Sequence, residues 1–247
     1  MTSRQKAQWN DPGHDAPPET RLVTRESIAA AATMMLLPFD LLRRKSQRPL
    51  PRDPNQRTVV LIHGLFANPA CFLPMRAWLA AGRRHRVLSF SWSPRDSAEV
   101  AARKLREFLR INVRGGRIDL VTHSMGGLIA EVFIEALGGD RRVDRCINLG
   151  TPHGGTWNAA WGLGHVHRDL RPNSKFIARL RERRKNSRRR VAFTAIVGDA
   201  DNVVLPRLSA ATRGRKIRVK DTGHLGLLWS PAVFRIVNRL LLVERAH

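Results

Sequence analysis

From residue 58 onward the chain alternates short apolar runs with longer segments whose apolar residues recur every three or four positions. Thr58-Val-Val-Leu-Ile62 is the first run. Val87–Trp92, Ile118–Thr122, Cys146–Leu149 and Val191–Val197 repeat it, and Lys216–Val219 reads as an edge strand. Continuous apolar runs of this length predict strands buried on both faces. Between them, Ser97–Val113 sets Val100, Leu105, Phe108, Leu109 and Ile111 largely on one stripe, with charges opposite. Gly126–Leu137 is apolar on most faces and stops at Gly138-Gly139, and Ala232–Leu242 carries Val233, Ile236, Val237, Leu240 and Leu241. Strands separated by helix-length segments predict an α/β fold, a mostly parallel central sheet with helices on both faces. Ligands of such sheets bind beyond the carboxyl ends of the strands.

Before residue 58 the pattern changes. Residues 1–20 are polar, contain Pro12, Gly13, Pro17 and Pro18, and read as a disordered tail. The apolar run Ile28–Phe39 follows, then the cluster Arg43-Arg44-Lys45. That run is shorter than the roughly 20 residues needed to cross a bilayer, and no small-residue cleavage site follows it. Pro38 should end or kink a helix there. A helix docked on the protein, an anchor in the membrane interface and a secretory or spanning segment stay open. Pro49, Pro51 and Pro54 mark a linker. The expected organisation is an N-terminal tail over 1–57 and one domain over 58–247.

Composition adds one unusual feature. Among 247 residues, 44 Lys and Arg oppose 20 Asp and Glu, a net charge of +24. Such a balance suggests nucleic acid or an anionic membrane as a partner. The densest block, His165–Arg190, has eleven basic and two acidic side chains. Yet the chain contains no Tyr, and its other aromatic residues do not interleave with the basic run as a base-stacking platform requires. Nucleic acid is therefore not an expected partner, and the block reads as a solvated surface or a phosphate-binding one. With two cysteines, Cys71 and Cys146, a disulfide scaffold is excluded, and both read as small buried hydrophobes. No phosphate-binding loop, dinucleotide fingerprint or metal-ligand spacing occurs, so no cofactor or metal is expected.

The chemistry lies just after the strands. Thr122-His123-Ser124-Met125-Gly126-Gly127 joins the third strand to a helix, the pattern of a nucleophile elbow, in which a tight strained turn presents a serine. Thr122 stands where a glycine is usual; the other reading of Ser124 is a helix N-cap. A base and an acid should follow in chain order. His224, after Gly223, is the base expected to take the proton from Ser124. Asp201 is the preferred acid because Val203 and Val204 would seat its loop in the core, with Asp199 and Asp221 as rivals. Strand alternation would turn His123 away from the site, His153 and His165 lie in a loop that could line it, and His63 reads as a hydrogen-bonder of its own loop. The N–H groups of Leu65, after the first strand, and Met125, after the serine, are the oxyanion-hole candidates. Phe66, Trp157 and Leu225 are candidate pocket residues, and residues 156–175 form either a mobile flap or a loop folded back on the core.

Five motifs in order, Leu61-Ile-His-Gly-Leu65, Val121–Gly127, Leu149–Thr156, Asp201-Asn-Val-Val204 and Gly223–Leu228, make the sequence resemble the α/β-hydrolase superfamily, in particular small bacterial lipases and lipase-like esterases. The resemblance runs from about Thr58 to the C-terminus. It implies an α/β-hydrolase fold with a small cap region, a Ser124–Asp201–His224 triad, oxyanion donors at Leu65 and Met125, and cleavage of carboxylic esters through an acyl-serine. An acyltransferase, thioesterase or amidase on the same triad is the alternative, as is a catalytically silent scaffold that binds anionic surfaces. The partners expected are an acyl-ester or lipid substrate and, peripherally, an anionic membrane.

Overall fold

The computed structural model describes residues 19–36, 57–82, 84–113, 115–161, 165–187, 191–211 and 214–243. Its centre is a sheet of six strands: β1 (Arg57–Ile62), β2 (His85–Phe90), β3 (Ile118–His123), β4 (Val143–Leu149), β5 (Ala192–Gly198) and β6 (Arg215–Val219). The order is β2-β1-β3-β4-β5-β6, and every pairing is parallel. All six predicted strands are present, and the sheet is parallel throughout.

The helices explain why the strands read as unbroken apolar runs. Val60 and Ile62 of β1, with Ile118 and Leu120 of β3, face a core shared with α3 (Ala98–Asn112), α4 (Met125–Ala136) and α6 (Lys175–Lys185). Val59 and Leu61, with Val121, face a second core shared with α2 (Leu73–Ala81) and α7 (Pro231–Leu242). Alternate residues thus enter opposite layers, and each layer requires an apolar side chain. Both cysteines are free and buried in these layers.

Three described helices were not expected: α2, α6 and the short α5 (His165–Asp169) that precedes α6. Helix α2 opens with Pro74 in its first turn and stops at Gly82. Helix α6 lies within the basic block. Ser174 caps it by accepting from the Ile177 N–H at 3.1 Å, and Phe176, Ile177 and Leu180 are buried beneath it. The segment before α6 folds back on the core, where Ala159 and Leu170 are buried. The Thr156 N–H donates to the Leu170 carbonyl at 2.7 Å.

Helix α1 (Glu19–Leu36) begins before the apolar run and ends two residues ahead of Pro38. Glu19 and Thr20 therefore belong to a helix rather than to the polar tail. Residues 1–18, the Arg43–Lys45 cluster and the linker prolines lie outside the described residues. Ala29 and Thr33 face inward and are buried. The Thr33 hydroxyl donates to the Ala29 carbonyl at 2.7 Å and accepts from Trp229 Nε1 at 3.1 Å. No helix among the described residues is long and apolar enough to cross a membrane.

Candidate active site

Ser124 sits between β3 and α4 with φ 51° and ψ −127°, a left-handed conformation that L-residues avoid. Its side chain makes no capping bond, although it occupies the N-cap position, so capping does not explain the serine. Steric closeness shapes the turn: a Cβ on Gly126 would lie 2.4 Å from the Ile62 carbonyl oxygen and 2.6 Å from that of His63. Only glycine lets α4 start this near the end of β1. Thr122 is accommodated because its hydroxyl turns sideways and donates to Asn148 Oδ1 on β4 at 2.7 Å.

The loops after β5 and β6 meet beside this turn. His224 Nδ1 lies 2.8 Å from Asp201 Oδ2, and both groups are buried. The other carboxylate oxygen of Asp201 accepts from the Val203 and Val204 N–H groups at 2.9 and 3.0 Å. Burial pushes the Asp201 carboxyl up, but the imidazole and these two N–H groups outweigh it and hold it below the ordinary carboxylate range. The expected valine anchor is half right. Val204 is buried, whereas Val203 is exposed and its backbone does the holding. Asp199 instead faces Arg218 at 3.6 Å. Gly150, at φ 57°, completes the arrangement: a Cβ there would lie 3.1 Å from both Asp201 Oδ2 and His224 Nδ1.

His123 departs from the sequence reading. Rather than turning away, it lines the same cleft as Ser124, its ring packs on His224 with centroids 4.6 Å apart, and its Nε2 lies 3.0 Å from the His224 carbonyl oxygen. That acceptor assigns the ring proton to Nε2. Burial, reinforced by His224, lowers the His123 pKa to about 3, so the ring is neutral. The reason alternation misled is that β3 has no solvent face; both of its neighbours are core or site.

His63 is a hydrogen-bonder of its loop. Nδ1 lies 2.9 Å from the Gly64 carbonyl oxygen, Nε2 accepts from the Trp92 N–H at 3.3 Å, and the ring stacks on the Trp92 indole. Burial lowers its pKa to about 4. His153 is turned into the core, where Nδ1 lies 2.8 Å from Glu131 Oε2. Arg184 of α6 donates to Glu131 Oε2 at 2.9 Å and to the His153 carbonyl at 2.7 Å. The side chain of His165 lies outside the described residues; His167 is the histidine of that region that lines the cleft, with its ring 6.0 Å from that of Phe66.

Ser124 and His224 open onto one cleft of about 360 Å³. Leu65, Phe66 and Leu225 line it, whereas Trp157 is exposed beside it and its neighbours Thr156 and Asn158 form the wall. Sequence reasoning missed Ala30, Thr33 and Met34 of α1, which form another wall. The small residues at a spacing of three and four, Ala29, Ala30 and Thr33, were a signal for close helix docking. Among the described residues no group of three or more His, Cys, Asp or Glu side chains is arranged to hold a metal ion.

Comparison with solved structures gives likeness of fold at low identity. A mature lipase of Bacillus licheniformis superimposes with a TM-score of 0.65 at 18% identity, over 80% of this chain and 96% of that one. Lipase B of Aspergillus fumigatus gives 0.67 at 16%, over 76% of this chain and 53% of that one. A membrane phospholipase A described as a bacterial virulence factor gives 0.57 at 14%, over 90% and 96%. The sequence model of the alpha/beta hydrolase family matches residues 59–235, from β1 into α7. With that match and this parallel topology, the chain belongs to the alpha/beta hydrolase family.

Proposed function

We propose that the protein is a serine hydrolase of carboxylic esters with Ser124, Asp201 and His224 as its triad. The observation that carries this reading is a strained Ser124 beside a buried Asp201–His224 pair in one apolar-walled cleft. His224 takes the proton of the Ser124 hydroxyl as the oxygen attacks the ester carbonyl carbon. The tetrahedral oxyanion is held by the Leu65 and Met125 N–H groups; the latter lies in the first turn of α4, where no intrahelical acceptor exists. The intermediate collapses, His224 gives its proton to the departing alcohol, and water repeats the cycle on the acyl-serine. Asp201 stays ionised and fixes the imidazole tautomer. Among the described residues the His224 ring is bonded to Asp201 and not to Ser124, and such nucleophile–base contacts commonly tighten with substrate.

The lipase and phospholipase relatives in fold, together with Leu65, Phe66, Met34 and Leu225 around the cleft, favour an acyl ester or lipid as substrate. The test is turnover of short- and long-chain p-nitrophenyl esters. Ser124→Ala should lose at least about 10⁴-fold in kcat with an unchanged melting temperature; equal turnover by the two proteins would refute the reading.

Peripheral contact with an anionic membrane is supported by the rim of the cleft, where Met34 and Phe66 are 68% and 71% exposed, and by the net charge of +24. Sedimentation with vesicles should capture more protein on anionic than on neutral lipid. Replacing Met34 and Phe66 by Ser should reduce capture; equal capture of wild type and variant would exclude that rim as the contact.

A further inference from the structure

We propose that Glu26 is a positioning residue for His224, which makes helix α1 a working part of the active site. The inference rests on the hydrolase reading above.

His224 is held at three points. Asp201 orients the imidazole, the His123 ring donates to the His224 carbonyl, and Glu26 holds the chain immediately after it. The Glu26 carboxylate accepts from the Leu225 N–H at 3.0 Å with one oxygen and from the Gly226 N–H at 2.9 Å with the other. Two adjacent N–H groups that converge on one carboxylate form a charge-assisted pair, stronger than neutral bonds. The loop is shaped to admit this side chain. A Cβ on Gly223 would lie 2.2 Å from Glu26 Cδ, and one on Gly226 would lie 2.5 Å from Glu26 Oε1. Glycines therefore flank His224 on both sides where Glu26 approaches. The helix that carries Glu26 is tied to the same loop by the Trp229–Thr33 hydrogen bond and lines the cleft through Ala30, Thr33 and Met34.

The consequence is catalytic as well as structural. Displacement of a catalytic group by about 1 Å can cost about 100-fold in rate. Without Glu26 the Leu225 and Gly226 N–H groups lose their acceptor, and the turn that sets His224 relaxes.

The experiment uses the full chain. A fluorophosphonate counts reactive serines, and kcat per counted site is then measured on a p-nitrophenyl ester, with melting curves alongside. Glu26→Ala should lower kcat per counted site about 10- to 100-fold, with KM little changed, and Glu26→Gln should fall between it and wild type because one acceptor remains. Gly226→Ala pushes the carboxylate aside without removing it. It should lower kcat in wild type and add little in the Glu26→Ala background, a non-additivity that loss of stability alone does not produce. Equal kcat per counted site for Glu26→Ala and wild type, or additive effects of the two substitutions, would overturn the proposal. If Glu26→Ala does not fold, the comparison of Glu26→Gln with wild type decides. Failure of the hydrolase reading is distinguishable, because wild type itself would then neither react with the probe nor turn over ester.

Discussion

Asp199 and Asp201 stand on one loop, two residues apart, and the fold gives them different work. Asp201 has both oxygens engaged, one with His224 and one with two backbone N–H groups, whereas Asp199 faces an exposed arginine. Asp201→Asn keeps an acceptor for Val203 and Val204 but offers the imidazole the wrong partner, so kcat should fall about 10⁴-fold. Asp199→Asn should change it by less than about threefold, the scale of an exposed ion pair. Steady-state kinetics on one ester checks both, and the reverse pattern would reassign the acid. Sequence order narrowed the proposed acid to three carboxylates, and telling Asp201 from its rivals by its contacts needed the loop's path. The proposed base was legible because His224 alone follows the last strand with a glycine before it. The role of His123 was not, since alternation is informative only where a strand has a wet face.

At the scale of elements, α4 and α6 are joined by a buried charge cluster. Burial alone would raise the Glu131 carboxyl, but His153 and Arg184 reverse this and hold it well below the ordinary range. Removing Arg184 withdraws one of these partners from a buried carboxylate. Arg184→Ala should therefore cost about 3 kcal/mol in urea denaturation, whereas Arg183→Ala, on the exposed side of α6, should cost less than about 0.5 kcal/mol. Equal costs would mean that the cluster does not tie the two helices. Strands β1, β3, β4 and β5 were legible because each is buried on two faces, a strong signal in few residues. Helix α6 was hidden because its charges dominate its composition while three apolar residues suffice to dock it. A docked α1 was among the readings the sequence left open, but its key contact was hidden: the Glu26 carboxylate meets backbone some 200 positions away, and no local pattern records that.

For the whole molecule, the positive charge is less free than the count suggests. Arg57, Arg145 and Arg117 pair with Asp119 and Asp144 at the end of the sheet remote from the cleft, and Arg184 is internal. Acid should still unfold the protein. His63 and His123 stay neutral in the fold down to about pH 4 and about pH 3, whereas in the unfolded chain they take protons near pH 6.5. Between these values the unfolded state binds more protons, so stability is full above about pH 6.5 and falls as pH drops, on the order of 2 kcal/mol per histidine by pH 5. The lowered Asp201 pKa acts in the same direction at lower pH. Melting curves at pH 7.5 and pH 5 should differ by several degrees; coincident curves would show that neither ring is buried uncharged. Strand β6 gives the surface charge one further role. Among the described residues it is the last strand of the sheet, with no strand paired on its outer side, and Arg215, Lys216 and Arg218 on it are exposed. A second molecule that approached to extend the sheet would bring its own like charges to that line, so the same basic excess guards the enzyme against edge-to-edge aggregation.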